Sequence, residues 1–149
     1  MMTAKQIMTT EVTSVLEETT IEELARLFVE TGFSAMPVVD EEGLLRGFIS
    51  ESDLVAQNKP LHLPRVISLF DWVLYMESEK NFREEVERIT AKTVGEICVR
   101  EVVSCGVDTP LPEIAELMSG QRVNLLPVLD GDKVVGVVSR LDVVRSMAP

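Results

Sequence analysis

The chain repeats itself, and this constrains its fold more than any other feature. Thr3-Ala4-Lys5-Gln6-Ile7-Met8 aligns with Thr93-Val94-Gly95-Glu96-Ile97-Cys98 at an offset of 90. The same offset pairs Glu11-Val12 with Glu101-Val102, Ser14 with Ser104, Thr19 with Thr109, and Met36-Pro37-Val38-Val39-Asp40 with Leu126-Pro127-Val128-Leu129-Asp130. One residue is then lost in a turn. At an offset of 89, Gly47-Phe48-Ile49-Ser50-Glu51-Ser52-Asp53 matches Gly136-Val137-Val138-Ser139-Arg140-Leu141-Asp142. A chain of this kind folds as copies of one supersecondary unit that bury their apolar faces against each other.

Each copy predicts the same elements. A short strand comes first, Val12–Val15 and Val102–Cys105. A helix follows, started by Thr19 with Glu22 as a capping box, or by Thr109 with Pro110 at the first helical position. Its apolar face carries Ile21, Leu24, Ala25, Leu27 and Phe28 in the first copy, and Leu111, Ile114, Ala115 and Met118 in the second. Two apolar strands joined by a tight turn come next, Met36–Val39 with Leu44–Ile49 and Leu126–Leu129 with Lys133–Val138. Ser50 and Ser139 then cap a closing helix, with Asp53 and Asp142 completing serine-x-x-acid boxes. The divisions are residues 1–56, a linker over 57–92 and residues 93–149. In the linker, Val66, Leu69, Phe70, Val73 and Leu74 form one helical stripe, and Phe82, Val86 and Ile89 form another. The pattern predicts a helical hairpin there.

Charge narrows the partners. The net charge is −11, which repels polyanions, so non-specific nucleic-acid binding is not expected. Residues 1–56 hold three basic and eleven acidic side chains, whereas residues 93–149 hold five and eight. A phosphate therefore needs a local cation, and the second copy is the better place to seek one. No apolar run reaches membrane-spanning length and no signal peptide is read at the N-terminus. With two cysteines, Cys98 and Cys105, the simple expectation is a reduced, cytoplasmic protein. His62 is the sole histidine, so no transition-metal site is expected.

Ile7-Met8-Thr9, the two proline-centred strands, and the closing motifs Gly47-x-x-Ser50-x-x-Asp53 and Gly136-x-x-Ser139-x-x-Asp142 resemble the CBS domain, a regulatory module. The two copies cover about three quarters of the chain. The resemblance implies an α/β (α+β) fold of two βαββα-type repeats paired around a pseudo-twofold axis, a Bateman module, with the helical insert between them. It implies two symmetric clefts, an energy-sensing or related regulatory role, and a homodimer of modules acting on an effector protein of unknown identity. Candidate ligands are AMP, ADP, ATP, S-adenosylmethionine and cyclic dinucleotides. An acidic chain can take a nucleotide as its magnesium complex, and no cofactor is required.

Carried over residue by residue, the resemblance joins Ser139, Arg140 and Asp142 to Thr13, Phe33 and Ser34 in one cleft. In the other it joins Ser50 and Asp53 to Val103, Val123 and Asn124. Asp53 or Asp142 would accept hydrogen bonds from a ribose diol. Ser50 or Ser139 begins a helix, where free N–H groups attract phosphate. Phe33 and Val123 would cover a flat base. Arg140 and Arg122 are the expected phosphate cations. Glu11 and Glu101 would repel a nearby phosphate, and Glu51 stands where the second copy has Arg140, so the Asp142 cleft is favoured.

Two other function classes stay open. An interaction module with vestigial clefts would use the aromatic group Phe70, Trp72 and Tyr75. An enzyme would need Asp53 and Asp142 as an acid–base pair, but the implied fold puts them in opposite clefts. No catalytic activity is expected.

Overall fold

A computed structural model describes residues 2–57 and 92–148. The expected hairpin of the linker, with His62, Phe70, Trp72 and Tyr75, lies outside the described residues. Within them the first repeat runs α1 (Ala4–Ile7), α2 (Ile21–Thr31), β1 (Ala35–Val39), β2 (Leu45–Ser50) and α3 (Glu51–Gln57). The second runs α4 (Val94–Ile97), β3 (Cys105–Gly106), α5 (Leu111–Gln121), β4 (Leu125–Asp130), β5 (Lys133–Ser139) and α6 (Arg140–Met147).

The strands follow from short apolar runs, continuous in β1 and β4, closed by glycine turns. β1 pairs antiparallel with β2, and β4 with β5, each with a bulge, after Val38 and after Val128. In the first turn Asp40 Oδ1 accepts bonds from Glu42 N and Leu44 N at 2.9 and 3.0 Å, while Gly43 takes a positive φ of 84°. The bond from Leu44 is the main influence holding the Asp40 carboxyl below its ordinary pKa.

The short first strands are smaller than expected. Val12–Val15 reduces to a single parallel bridge between Val15 and Val38, and of Val102–Cys105 only Cys105 pairs, continuing with Gly106 as β3 beside β4. The helix starts also move by one residue. Thr20, not Thr19, caps α2, in a box with Glu23, and Pro110 is the residue before α5. The reason is local. Thr19 Oγ1 accepts a bond from Leu16 N, and Thr109 Oγ1 one from Gly106 N, so both hydroxyls close the preceding turn instead.

The repeats exchange their leading segments. Ala4 lies in the core formed by Cys105, Ile114, Met118, Leu126, Val128, Val138 and Val143 of the second repeat. Val94 lies in the core formed by Val15, Leu24, Phe28, Met36, Val38 and Ile49 of the first. Matched bonds hold the exchange: Ala4 N to Thr109 O at 2.9 Å mirrors Val94 N to Thr19 O at 2.8 Å. Thr9 and Val137 exchange backbone bonds at 2.8 and 3.0 Å, and Phe48 and Val99 do so at 2.9 Å in both directions. Each leading segment thus adds to the outer strand of the opposite repeat. The hairpin tips also meet, with Leu45 N bonding Asp132 O and Val134 N bonding Gly43 O.

The exchange explains the glycine shared by the closing motifs. A Cβ on Gly47 would stand 2.7 Å from Cys98 Sγ and 2.9 Å from Val99 O. On Gly136 it would stand 2.9 Å from Met8 Cγ and 3.1 Å from Thr9 O. In each case the intruding atoms belong to the exchanged segment, and one of them is backbone.

Two predictions follow from this packing. Gly136→Ala and Gly47→Ala should each lower unfolding stability by about 1–3 kcal/mol, the usual cost of overpacking, measured by urea denaturation. The second concerns Cys105, which burial pushes up to about 11, with Glu113 adding to the shift, from an ordinary value of 9.0. At pH 8 its reaction with a disulfide reagent should be roughly 100-fold slower in the native than in the unfolded chain. Between pH 9 and 11 the folded thiol keeps a proton that the unfolded one has lost, so this group makes stability fall as pH rises.

Candidate functional site

The closing helices carry the polar residues of the motifs. Ser139 Oγ accepts from Asp142 N at 3.1 Å, and Ser139 N donates to Asp142 Oδ2 at 2.9 Å. Ser50 N and Ser50 Oγ both donate to Asp53 Oδ2, at 2.9 and 3.0 Å. The capping box therefore fixes each carboxylate relative to its strand end, and the two motifs open on separate clefts between the repeats.

One cleft, of about 490 Å³, is lined by Ser139 and Asp142 from the second repeat and by Thr13, Phe33 and Ser34 from the first. The other, of about 410 Å³, is lined by Ser50 and Asp53 with Val103, Arg122, Val123 and Asn124. Both volumes fall in the roughly 300–1,000 Å³ range of small-molecule sites. The clefts share a wall, since Ser34, Ala35, Asn124 and Leu125 line both. The carbonyls of that wall hold the closing helices, Ser34 O accepting from Glu51 N at 2.9 Å and Asn124 O from Arg140 N at 3.0 Å.

One expected site residue lies elsewhere. Arg140 is exposed and is not among the residues lining either cleft. It is the first residue of α6, and two helical steps of about 100° turn it away from Asp142. Arg140 was the cation that set the Asp142 cleft above its counterpart, and it does not enter that cleft. The arginine that lines a cleft is Arg122, beside Asp53. Glu11 lines the cleft with Asp142, and Glu101 lines the cleft with Asp53. Sequence reasoning missed Phe48 and Val99 in one cleft and Thr9, Val137 and Leu141 in the other. Four of these five form the exchanged bridges, which single-repeat patterns do not reveal.

The carboxylates differ in their surroundings. Asp142 is 7% exposed, with Thr9 Oγ1 at 3.4 Å from Oδ2 and Arg145 at 3.6 Å from Oδ1. Val99 stands where the first repeat has Thr9, so Asp53 meets no such hydroxyl, and its hydrogen bonds among the described residues fall on Oδ2. The backbone differs too. Gly32 and Arg122 are equivalent positions ending α2 and α5, and both take the left-handed conformation, at φ 72° and 54°. Glycine adopts it freely, whereas a residue with a Cβ is disfavoured there by roughly 1–2 kcal/mol.

Among the described residues no group of three His, Cys, Asp or Glu side chains forms a metal cluster, and no helix is long and apolar enough to cross a membrane.

Known proteins share this fold. The CBS-domain family model matches residues 4–59 and 94–149. The chain is 28% identical to MJ1426 of Methanocaldococcus jannaschii over 141 residues, covering 89% of this chain and 84% of that protein. It is 28% identical to chloroplastic CBSX2 of Arabidopsis thaliana over 137 residues, but spans only 55% of that protein's length. A solved structure of CBSX2 in complex with AMP superposes with a TM-score of 0.75 at 23% identity, over 97% of this chain and 95% of that one. The CBS domain pair of MJ0100, in complex with 5′-methylthioadenosine and S-adenosyl-L-methionine, gives a TM-score of 0.69 at 22% identity, over 98% and 95%. With both repeats matched by the family model and the whole described fold shared, the chain belongs to the CBS-domain family and carries a pair of CBS domains.

Proposed function

We propose that this CBS pair is a regulatory module that binds an adenosyl ligand in its inter-repeat clefts and signals through a change of shape. The observation that carries the reading is the paired arrangement itself. Each cleft sets a serine-x-x-aspartate motif from one repeat against the pre-proline segment of the other. A carboxylate held by its own helix cap is a ready acceptor for a ribose diol, and nearby apolar side chains, Phe33 or Val123, suit the face of a base. The AMP complex of CBSX2 and the adenosyl complexes of MJ0100 lend the reading support. A polyphosphate ligand would enter such an acidic lining as its magnesium complex. The ligand shifts the module only by its differential affinity for two shapes, and an effector protein would read that shift. No catalytic step is part of this reading.

The proposal includes a homodimer. Leu141, Val144 and Met147 lie along one side of α6 and are 61%, 60% and 68% exposed. Apolar side chains left open in this way are suited to a second copy or to the effector.

Two measurements check these points. Thermal unfolding with AMP, ADP, ATP, S-adenosylmethionine and cyclic di-AMP, with and without magnesium, should show a midpoint rise of about 5–10 °C for the true ligand at 100 times its Kd. Asp53→Ala or Asp142→Ala should remove the rise belonging to its cleft, and the comparison is of the rise because each change also removes a helix cap. No rise with any adenosyl compound would leave the module with vestigial clefts as the surviving reading. Val144→Glu should shift the mass measured by light scattering from a dimer to the 16.6 kDa of one chain.

A further inference from the structure

The scaffold is symmetric, so the places where symmetry fails are informative. The most uneven pair of equivalent positions is Gly32 and Arg122. Both end a helix in the left-handed conformation and both line a cleft, Gly32 beside Asp142 and Arg122 beside Asp53. The first repeat fills the position with the residue that suits it. The second keeps a long, β-carbon-bearing side chain against its backbone preference. Packing does not account for this, because Arg122 is exposed. Pairing does not either, because the Arg122 guanidinium makes no ion pair or hydrogen bond among the described residues. In contrast Arg46 pairs with Asp40, Arg100 with Glu17 and Arg145 with Asp142.

A guanidinium that has no partner among the described residues and is held on a cleft wall against conformational preference is suited to an anion supplied from outside. The Asp142 cleft offers no counterpart. Its lining includes Glu11 and Asp142 but, among the described residues, no lysine or arginine, and Arg145, on Asp142, is not among the lining residues. Phe33 lines this cleft at the position where the other cleft has Val123.

We infer that the two clefts take different classes of adenosyl ligand. The Asp53 cleft takes a phosphorylated adenosine, with Arg122 as its phosphate-specificity residue. The Asp142 cleft takes an adenosyl compound without phosphate, held by stacking on Phe33 and by its ribose. The inference rests on the adenosyl-ligand reading proposed above and assigns a ligand class to each cleft. Both linings contain acidic residues, so the discrimination comes from one focused charge-assisted contact and not from net charge.

Calorimetric titration of the full chain with AMP and with adenosine tests it, using Asp53→Ala and Asp142→Ala to assign each cleft. Arg122→Gly should weaken AMP binding at the Asp53 cleft by about 10- to 100-fold, the usual loss of a charged hydrogen-bonded contact. It should leave adenosine affinity within about twofold and should not lower the melting midpoint, because glycine suits the backbone there. Arg122→Lys should restore part of the AMP affinity. Gly32→Arg, read by the same titration, should raise AMP affinity at the Asp142 cleft. Equal weakening of AMP and adenosine by Arg122→Gly, or loss of AMP binding through Asp142→Ala alone, would overturn the inference and leave the adenosyl reading standing. Failure of both compounds to bind the wild-type chain would overturn the reading and the inference together.

Discussion

Each repeat is completed by the leading segment of the other, and the rest of the molecule depends on this exchange. Ala4 and Val94 are fully buried, each in the opposite core. The chain then leaves each core as an antiparallel bridge on an outer strand, at Val137 or Phe48. Reciprocal backbone bonds there fix the separation between the segment after the bridge and the closing serine motif. A cleft is the space that remains between them. Its width is thus set by main-chain geometry, and the bare Cα of Gly47 or Gly136 is what lets the two segments approach.

On this symmetric frame the side chains are free to diverge. Arg100 shows the point. It pairs with Glu17 and donates to the carbonyls of Arg46 and Gly95, tying the segment before the Asp53 cleft to the first repeat. The equivalent position in the first repeat is Thr10, which has no such reach. Thr9 against Val99, Phe33 against Val123 and Gly32 against Arg122 continue the divergence around the clefts. Duplication supplied the frame, and the unlike side chains give the clefts different chemistry.

Much of this was legible in the residues. Both closing helices and their capping boxes were, because a serine-x-x-aspartate cap is a local device. The paired strands were also legible, because short apolar runs and glycine turns are local. The first helix was harder. Residues 19–23 read Thr-Thr-Ile-Glu-Glu, so either threonine forms a box, and the choice falls to Thr20 because Thr19 closes the turn from Leu16 and gives its carbonyl to Val94. The four-residue helices α1 and α4 are too short to leave a periodic signal. The exchange left no signal at all, because Ala4 packed on its own repeat or on the other writes the same pattern. Arg140 was misplaced as a cleft residue for a related reason: adjacency in the Ser-Arg-Leu-Asp motif does not decide which side of a helix a residue takes.

The exchange also has a consequence for the order of events when the chain is made. The amide of Ala4 bonds the carbonyl of Thr109, so the leading segment of the first repeat finds its place only after roughly a hundred further residues have emerged. Until then the first repeat lacks Val94 and the N-terminal segment lacks a core. Neither half is a finished unit by itself. A truncated nascent chain would present two open apolar faces of matching shape, and a second nascent chain could close them only by the same swap. The duplication within one polypeptide makes that swap intramolecular, which replaces an encounter between chains with the closure of a loop.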